Sequence, residues 1–415
     1  MRASEVFTPN KEPSVTYVKD HLIGKAKQLH ESLETGAAVI SLSGPSKSGK
    51  TVFIEKTIGK DRLVSVTGAG VTSPEILWNR VFAIVGTPTK STENSGISFT
   101  GTVASKASGG IPLVAQGEAS ASGAWGQTAS TSAESPIDHL QLLIKELGGS
   151  GLVLFIDDFH YIPKDVQVAV SNQIKEAIHG GVVFVCASVP YHSDDMLLAN
   201  ADLRGRTFKF SFDYWDTKEL IKIGQRGFKA LNIDVSDALL LAFAKEAAGS
   251  PQLMQGLCLT CCFETGHAER SAQRTSIATD RELIGRVCRR TSATGDYSST
   301  VAKMKEGPKT RGTDRKSHVL SSDGTVMDVY PLILLALARD PPELTVRYAN
   351  LGERIAKLCE NDPPSGSSVT GACSHMSEIA NNAENRIVVE WDGDSDTLDI
   401  RDPYLLFFLR WAEWR

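Results

Sequence analysis

Eight residues, GPSKSGKT at 44–51, combine the residue types that can hold a nucleotide phosphate. Gly44 and Gly49 let the backbone curl so that N–H groups face an anion. Pro45, Ser46, Lys47 and Ser48 form the arc between them. Lys50 can reach β- and γ-phosphates, and Thr51 can offer its hydroxyl to Mg²⁺. Roughly 100 residues later, the run GLVLFIDDFHYIP (151–163) ends an apolar stretch in two acids. Asp157 would hold Mg²⁺ through water, and Asp158 would orient or deprotonate an attacking water. The bland alternative is a pair of acids capping the next helix. Read together and in this order, the two motifs call for ATP and Mg²⁺ as cofactors and for ATP hydrolysis as the chemistry.

Such residues work only if the chain places them at one edge of a sheet. AAVISLSGP (37–45) reads as a buried strand running into a small-residue turn. GKTVFIEKTIG follows with Val52, Phe53, Ile54 and Ile58 at helical spacing. LVSVTGAG (63–70) and GVVFVCASVP (181–190) read as further strands. TSPEILWNRVFAIVG (72–86), with a Ser/Pro start, and PKDVQVAVSNQIKEAIHG (163–180) read as helices. In an α/β fold, a parallel sheet between helices, ligands sit at the strands' carboxyl edge. That edge holds the phosphate loop and both acids.

The segment LRGRTFKFSFDYWDTKELIKIGQRGF (203–228) makes the pattern more specific. With the two motifs above, the chain resembles the AAA+ and STAND superfamily, its initiator-like and archaeal-ATPase-like branches in particular. The likeness covers about residues 15 to 290 and the C-terminal end. By that resemblance, Ser188 is a polar sensor at the end of the fourth strand. Arg206 (or nearby Arg204) is the arginine reaching a neighbouring subunit's γ-phosphate, and surface exposure is the plain alternative. DVSDALLLAFAKEAAGSPQLMQGLCLTCCFETG (234–266) is similar to a helical lid, in which Pro251 of AGSPQLM opens the sensor helix. Gln252 stands where many AAA+ members place an arginine, and a neutral amide contacts phosphate weakly.

The implied organisation is an ATPase core at 1–215, a helical lid at 216–293, a linker at 294–325 and a winged-helix domain at 326–415. An insertion at 87–135, rich in Gly, Ser, Ala and Thr, interrupts the core. ISFTGTVAS and IPLVAQGEASASG flank Gly109-Gly110, a hairpin signal. A subunit- or partner-contacting hairpin, a low-complexity loop and a membrane-inserting hairpin are all open readings, with Trp125 as an anchor. The C-terminal stretch reads as three helices and a hairpin, the order of a winged helix, with a third helix that starts at a Ser cap. From Val326 to Arg415 there are eight Lys/Arg against fifteen Asp/Glu, and the third helix has no Lys or Arg. Since affinity for DNA comes mainly from phosphate neutralisation, a protein-contacting module is favoured over a DNA reader. The basic residues at 303–316 read as a solvated tether.

Composition bounds the rest. The 415 residues, 41% of them hydrophobic, fit two or three domains, and a net charge of -5 gives no global pull toward nucleic acid or anionic membrane. No run of 18 apolar residues occurs, so no membrane partner is expected. An N-terminus without an apolar core and seven scattered cysteines point to a cytoplasmic protein with reduced thiols. The CxxCC of Cys258, Cys261 and Cys262 reads as buried helical thiols, with a metal or redox role as the alternative. The expected function is an ATP-driven oligomeric switch acting on a separate effector protein. Prokaryotic defence and mobile-element control are roles the resemblance implies. The alternative is a DNA-binding initiator- or transposition-type ATPase.

Overall fold

The computed structural model describes residues 1–34, 39–88, 138–188, 203, 207–309 and 315–414. Its centre is a five-stranded parallel sheet of β1 (Val39–Ser43), β2 (Leu63–Thr67), β3 (Val153–Asp157), β4 (Val183–Ser188) and β5 (Thr207–Ser211). The spatial order is β2-β3-β4-β1-β5. β1, which carries the phosphate loop, therefore lies beside β4 and one strand from β3, which carries the acids. Register confirms the alignment at the carboxyl edge: Ser43 pairs with Ser188, and Thr67 with Asp157.

Burial on both faces accounts for the near-continuous apolar strands. One face packs Val39, Leu154 and Ile156 against Trp78, Phe82, Leu143, Val170 and Ile174. The other packs Ile40, Leu42 and Phe155 against Leu29, Phe53 and Ile54. Phe53 meets Phe212 edge-on at 5.1 Å. This contact anchors the helix that follows the phosphate loop, and truncating such a ring costs roughly 3–5 kcal/mol.

The expected helices fall at Lys50–Ile58, Pro74–Val85 and Lys164–His179, and the lid pair at Asp237–Glu246 and Pro251–Glu264. Cys258, Cys261 and Cys262 are buried in the second lid helix. Burial pushes the Cys261 thiol up to about 12, and the described residues contain no metal-binding cluster. These thiols pack into the core around that helix.

The C-terminal elements are helix Val329–Leu337, strand Thr345–Arg347, helices Tyr348–Ala356 and Gly366–Glu384, strands Val389–Asp392 and Thr397–Ile400, and helix Pro403–Trp411. Ser365 caps the long helix through its side chain, as expected. The start of VRYANLGERIAKLCEN, read as helix, is instead a strand. Thr345–Arg347 pairs antiparallel with Thr397–Ile400 because buried Val346 needs the hairpin as its partner.

The stretch 294–325, read as a tether, is partly folded. Helix Ser298–Glu306 buries Val301 and Met304 in the C-terminal core. Arg315 is paired with Asp328, and Lys316 lies 2.6 Å from Asp362. The interior of the 87–135 insertion, from residue 89 on and including Gly109, Gly110 and Trp125, lies outside the described residues, as do Arg204 and Arg206. Among the described residues no helix is long and apolar enough to cross a membrane.

Candidate nucleotide site

The phosphate loop takes the shape that its sequence predicts. Gly49 has φ +93, and Lys47 also lies in the left-handed region at φ +62, which L side chains enter rarely. Gly44 sits where a Cβ would come within 2.6 Å of Phe212 Cβ, so no other residue fits beside β5. Its N–H donates to Ser188 O at 3.2 Å. Ser188, buried at the end of β4, therefore braces the loop from below. The first turn of helix Lys50–Ile58 leaves N–H donors without intrahelical acceptors, and a positive dipole end adds to them.

Thr51 Oγ1 donates to Asp157 Oδ2 at 2.6 Å. A hydroxyl and a carboxylate brought together from two elements form an oxygen donor set suited to Mg²⁺. Lys50 Nζ donates to the carbonyls of Gly44 at 2.7 Å and Pro45 at 2.8 Å, which folds it onto the loop. Burial lowers its pKa to about 8, although Asp157 and Asp158 pull the other way. Asp158 has φ +55, and the nearby Lys50 and Arg386 charges only partly offset what raises its pKa. Burial, then the neighbouring Asp157 charge, raise its pKa to about 6. That value suits a group that must accept a proton near neutral pH. The Ser48 hydroxyl is buried and has no hydrogen-bond partner among the described residues.

These residues open into a cavity of about 570 Å³, large enough for a nucleotide. Ser46, Lys47, Gly49, Lys50, Thr51, Asp157 and Asp158 line it, together with Pro251 and Gln252 of the lid. Pro251 is the first residue of its helix, and Ser250 caps that helix by accepting from Leu253 N at 3.2 Å. Gly249, at φ +83, allows Trp215 N to donate to Gly249 O at 3.0 Å. Trp215 Nε1 in turn donates to Ser48 O at 2.9 Å. Trp215 thus ties the phosphate loop, through its indole, to Gly249, through its backbone N–H.

Two groups of lining residues were missed at the sequence level. The first is the N-terminal segment. Thr8 N and Thr16 Oγ1 both donate to Gln255 Oε1, at 2.8 and 3.0 Å. Val6, Phe7 and Val18 are buried against the lid, with Phe7 edge-on to Phe228 at 5.1 Å. Segment 8–18 therefore walls one side of the cavity. The mix of Val, Phe and Thr before residue 20 was the only available signal. The second group comes from the chain's far end. Lys47 Nζ contacts Asp402 at 2.9 and 3.0 Å and lies 4.1 Å from the centre of the Tyr404 ring. Asp402 is fully buried and also accepts from Arg386 Nη2 at 2.8 Å, Tyr297 OH at 2.8 Å and Tyr404 N at 2.9 Å. Arg386, Ile387 and Arg401 line the cavity. Contacts 355 residues apart in sequence leave no local pattern to read.

No protein-family model matches this chain, and no curated protein matches it. Solved structures do. The Aeropyrum pernix ORC2 protein, determined in ADPNP–ADP complexes, is 12% identical with a TM-score of 0.51, over 98% of this chain and 96% of that one. The Walker-type ATPase PABY2304 of Pyrococcus abyssi is 13% identical with a TM-score of 0.51, over 95% of both chains. At these identities the likeness speaks to the fold. The strand order and the phosphate loop agree with it: this chain has the fold of an AAA+-type P-loop ATPase.

Proposed function

We propose that this protein binds ATP with Mg²⁺ in the cavity at Ser46–Thr51, hydrolyses it, and uses the cycle as a switch over its own assembly or over a partner protein. The observation that carries the reading is the 2.6 Å contact of Thr51 with Asp157, beside Lys50 and the raised-pKa Asp158. In this reading the loop N–H groups and Lys50 hold the β- and γ-phosphates. Thr51 and Asp157 would hold Mg²⁺, which when bound neutralises the charge on the transferred group. Asp158 takes the proton of the attacking water. Ser188 keeps the loop in register, and Pro251 brings the lid onto the nucleotide. The folded-back Lys50 exchanges its two carbonyl acceptors for phosphate oxygens.

The switch part of the proposal rests on coupling. The phosphate loop touches the lid through Trp215 and the C-terminal module through Asp402. A nucleotide that reorders residues 46–48 therefore acts on both. The C-terminal module, which we read as a winged helix, is acidic, and its helix Gly366–Glu384 has no Lys or Arg. Its chemistry suits a protein partner better than duplex DNA. From sequence, Arg206 would complete a neighbour's site in an oligomer. The test is the light-scattering mass of wild type and Asp158→Asn in ATP, in ADP and without nucleotide. A multimer in ATP that ADP does not support is the expected result, and Arg206→Ala should abolish it. One unchanged mass in all three states would rule out self-assembly as the output.

A further inference from the structure

Asp158 marks the end of the cavity where a terminal phosphate would meet water, and one cation on that side comes from outside the ATPase core. Arg386, on the stretch between helix Gly366–Glu384 and strand Val389–Asp392, lines the cavity with Lys50 and Asp158. Tyr161 lines the same cavity, and the Arg386 charge acts on it and on Asp158. The other arginine of the lining is committed elsewhere: Arg401 Nη2 lies 2.9 Å from Glu390 and 3.3 Å from Asp399. Lys47 is held by Asp402. The lid has Gln252 where an arginine would serve, and that amide donates to Asn10 at 3.2 Å.

The Arg386 guanidinium is partly exposed, its side chain at 30%. Asp402 and Tyr297 engage only Nη2, at 2.8 and 2.6 Å. A guanidinium carries five donors in a rigid fork. The Nη1 and Nε donors are not used by that node. A phosphate oxygen is the kind of acceptor such a fork pairs with, charge to charge.

We propose that Arg386 is a terminal-phosphate contact supplied in cis by the C-terminal module, with Asp402 as the residue that positions it. The assignment rests on the nucleotide reading above and adds to it the group that distinguishes tri- from diphosphate. Asp402 joins Arg386 to Lys47, so one carboxylate sets both cations. Arrival of a γ-phosphate would draw Arg386 toward the cavity and register the nucleotide state in the C-terminal module.

The experiment is calorimetric titration of the full chain with ADP and with ADPNP, each with Mg²⁺, for wild type, Arg386→Ala and Arg386→Lys. Arg386→Ala should weaken ADPNP about tenfold or more, as for loss of a charge-assisted contact, and change ADP by less than about twofold. Arg386→Lys keeps the charge but not the fork, and should fall between. If the alanine variant does not fold, the lysine variant carries the test: an ADPNP-to-ADP affinity ratio equal to that of wild type overturns the assignment. An unchanged ratio in Arg386→Ala overturns it too. Binding of neither nucleotide by wild type overturns the nucleotide reading itself. Binding of both with equal losses in the variant overturns only the role of Arg386.

Discussion

Lys47, in the phosphate loop, and Asp402, at the start of the last helix, form an ion pair at 2.9 Å with the carboxylate fully buried. The stability of this contact is carried by Asp402. Burial alone would raise its pKa, but Lys47, Arg386 and further donors outweigh that and hold it below the usual carboxylate range. For Lys47, burial wins over the carboxylate, and its pKa falls. Asp402→Ala would strand two cations, and removing one partner of a buried pair costs about 3–5 kcal/mol. Lys47→Ala leaves Asp402 with Arg386, Tyr297 and Tyr404, so its loss should be smaller, about 1–2 kcal/mol. Urea denaturation of both variants checks the order.

The same carboxylate sets an acid limit. A group with a depressed folded-state pKa contributes stability that is present above its unfolded value, 3.8 here, and is lost as pH falls through the folded one. The midpoint of denaturation should therefore drop steeply below about pH 4. Asp402→Asn should flatten that drop while lowering stability at pH 7.

Asp158 behaves oppositely. Its pKa is raised to about 6 by burial and then by Asp157, so above pH 6 the fold holds a charge that it disfavours. Stability tied to this group is present at low pH and is lost as pH rises through about 6. Asp158→Asn removes the charge, and asparagine tolerates the residue's φ of +55. The nucleotide-free variant should be more stable than wild type at pH 7.5, by on the order of 1 kcal/mol.

Turnover should show a bell-shaped dependence on pH. kcat/KM reports the free enzyme. It should rise as Asp158 deprotonates near pH 6 and fall as Lys50 loses its proton near pH 8. Nucleotide affinity should decline on the alkaline side only, since an anion binds the charged lysine. A flat affinity between pH 7 and 9.5 would mean that Lys50 keeps its charge.

Thr51→Ala removes one of two oxygens that face each other at 2.6 Å. The Mg²⁺ needed for half-maximal turnover should rise by roughly tenfold, as when one metal contact is lost, with Mg²⁺-free ADP binding little changed. Titration of Mg²⁺ against the rate gives the answer.

The core was legible because its signals are local. GPSKSGKT has no freedom between a buried strand and a helix, and Leu152–Ile156 followed by two acids fixes a strand that ends at the same edge. Their adjacency followed from parallel-sheet logic, and Thr51 Oγ1 lies 2.6 Å from Asp157 Oδ2. Arg386, Asp402 and the N-terminal wall were not legible. Their roles come from the docking of one module on another: Tyr214 OH donates to Ile400 O at 3.3 Å, and Arg410 Nη2 lies 2.7 Å from Glu246. Side chains at such junctions share no period with their own element. Val346 was misread for a related reason, since a three-residue strand is too short to show alternation.

The most direct measurement is phosphate release from ATP by wild type and Asp158→Asn, each with Mg²⁺ and with chelator, beside calorimetric binding of the same nucleotide. Wild type should turn ATP over only with Mg²⁺. Asp158→Asn should bind ATP as well as wild type but turn it over at least about 100-fold more slowly, as expected for loss of a general base. Wild-type turnover in Asp158→Asn, or hydrolysis indifferent to chelator, would contradict these roles for Asp158 and Mg²⁺.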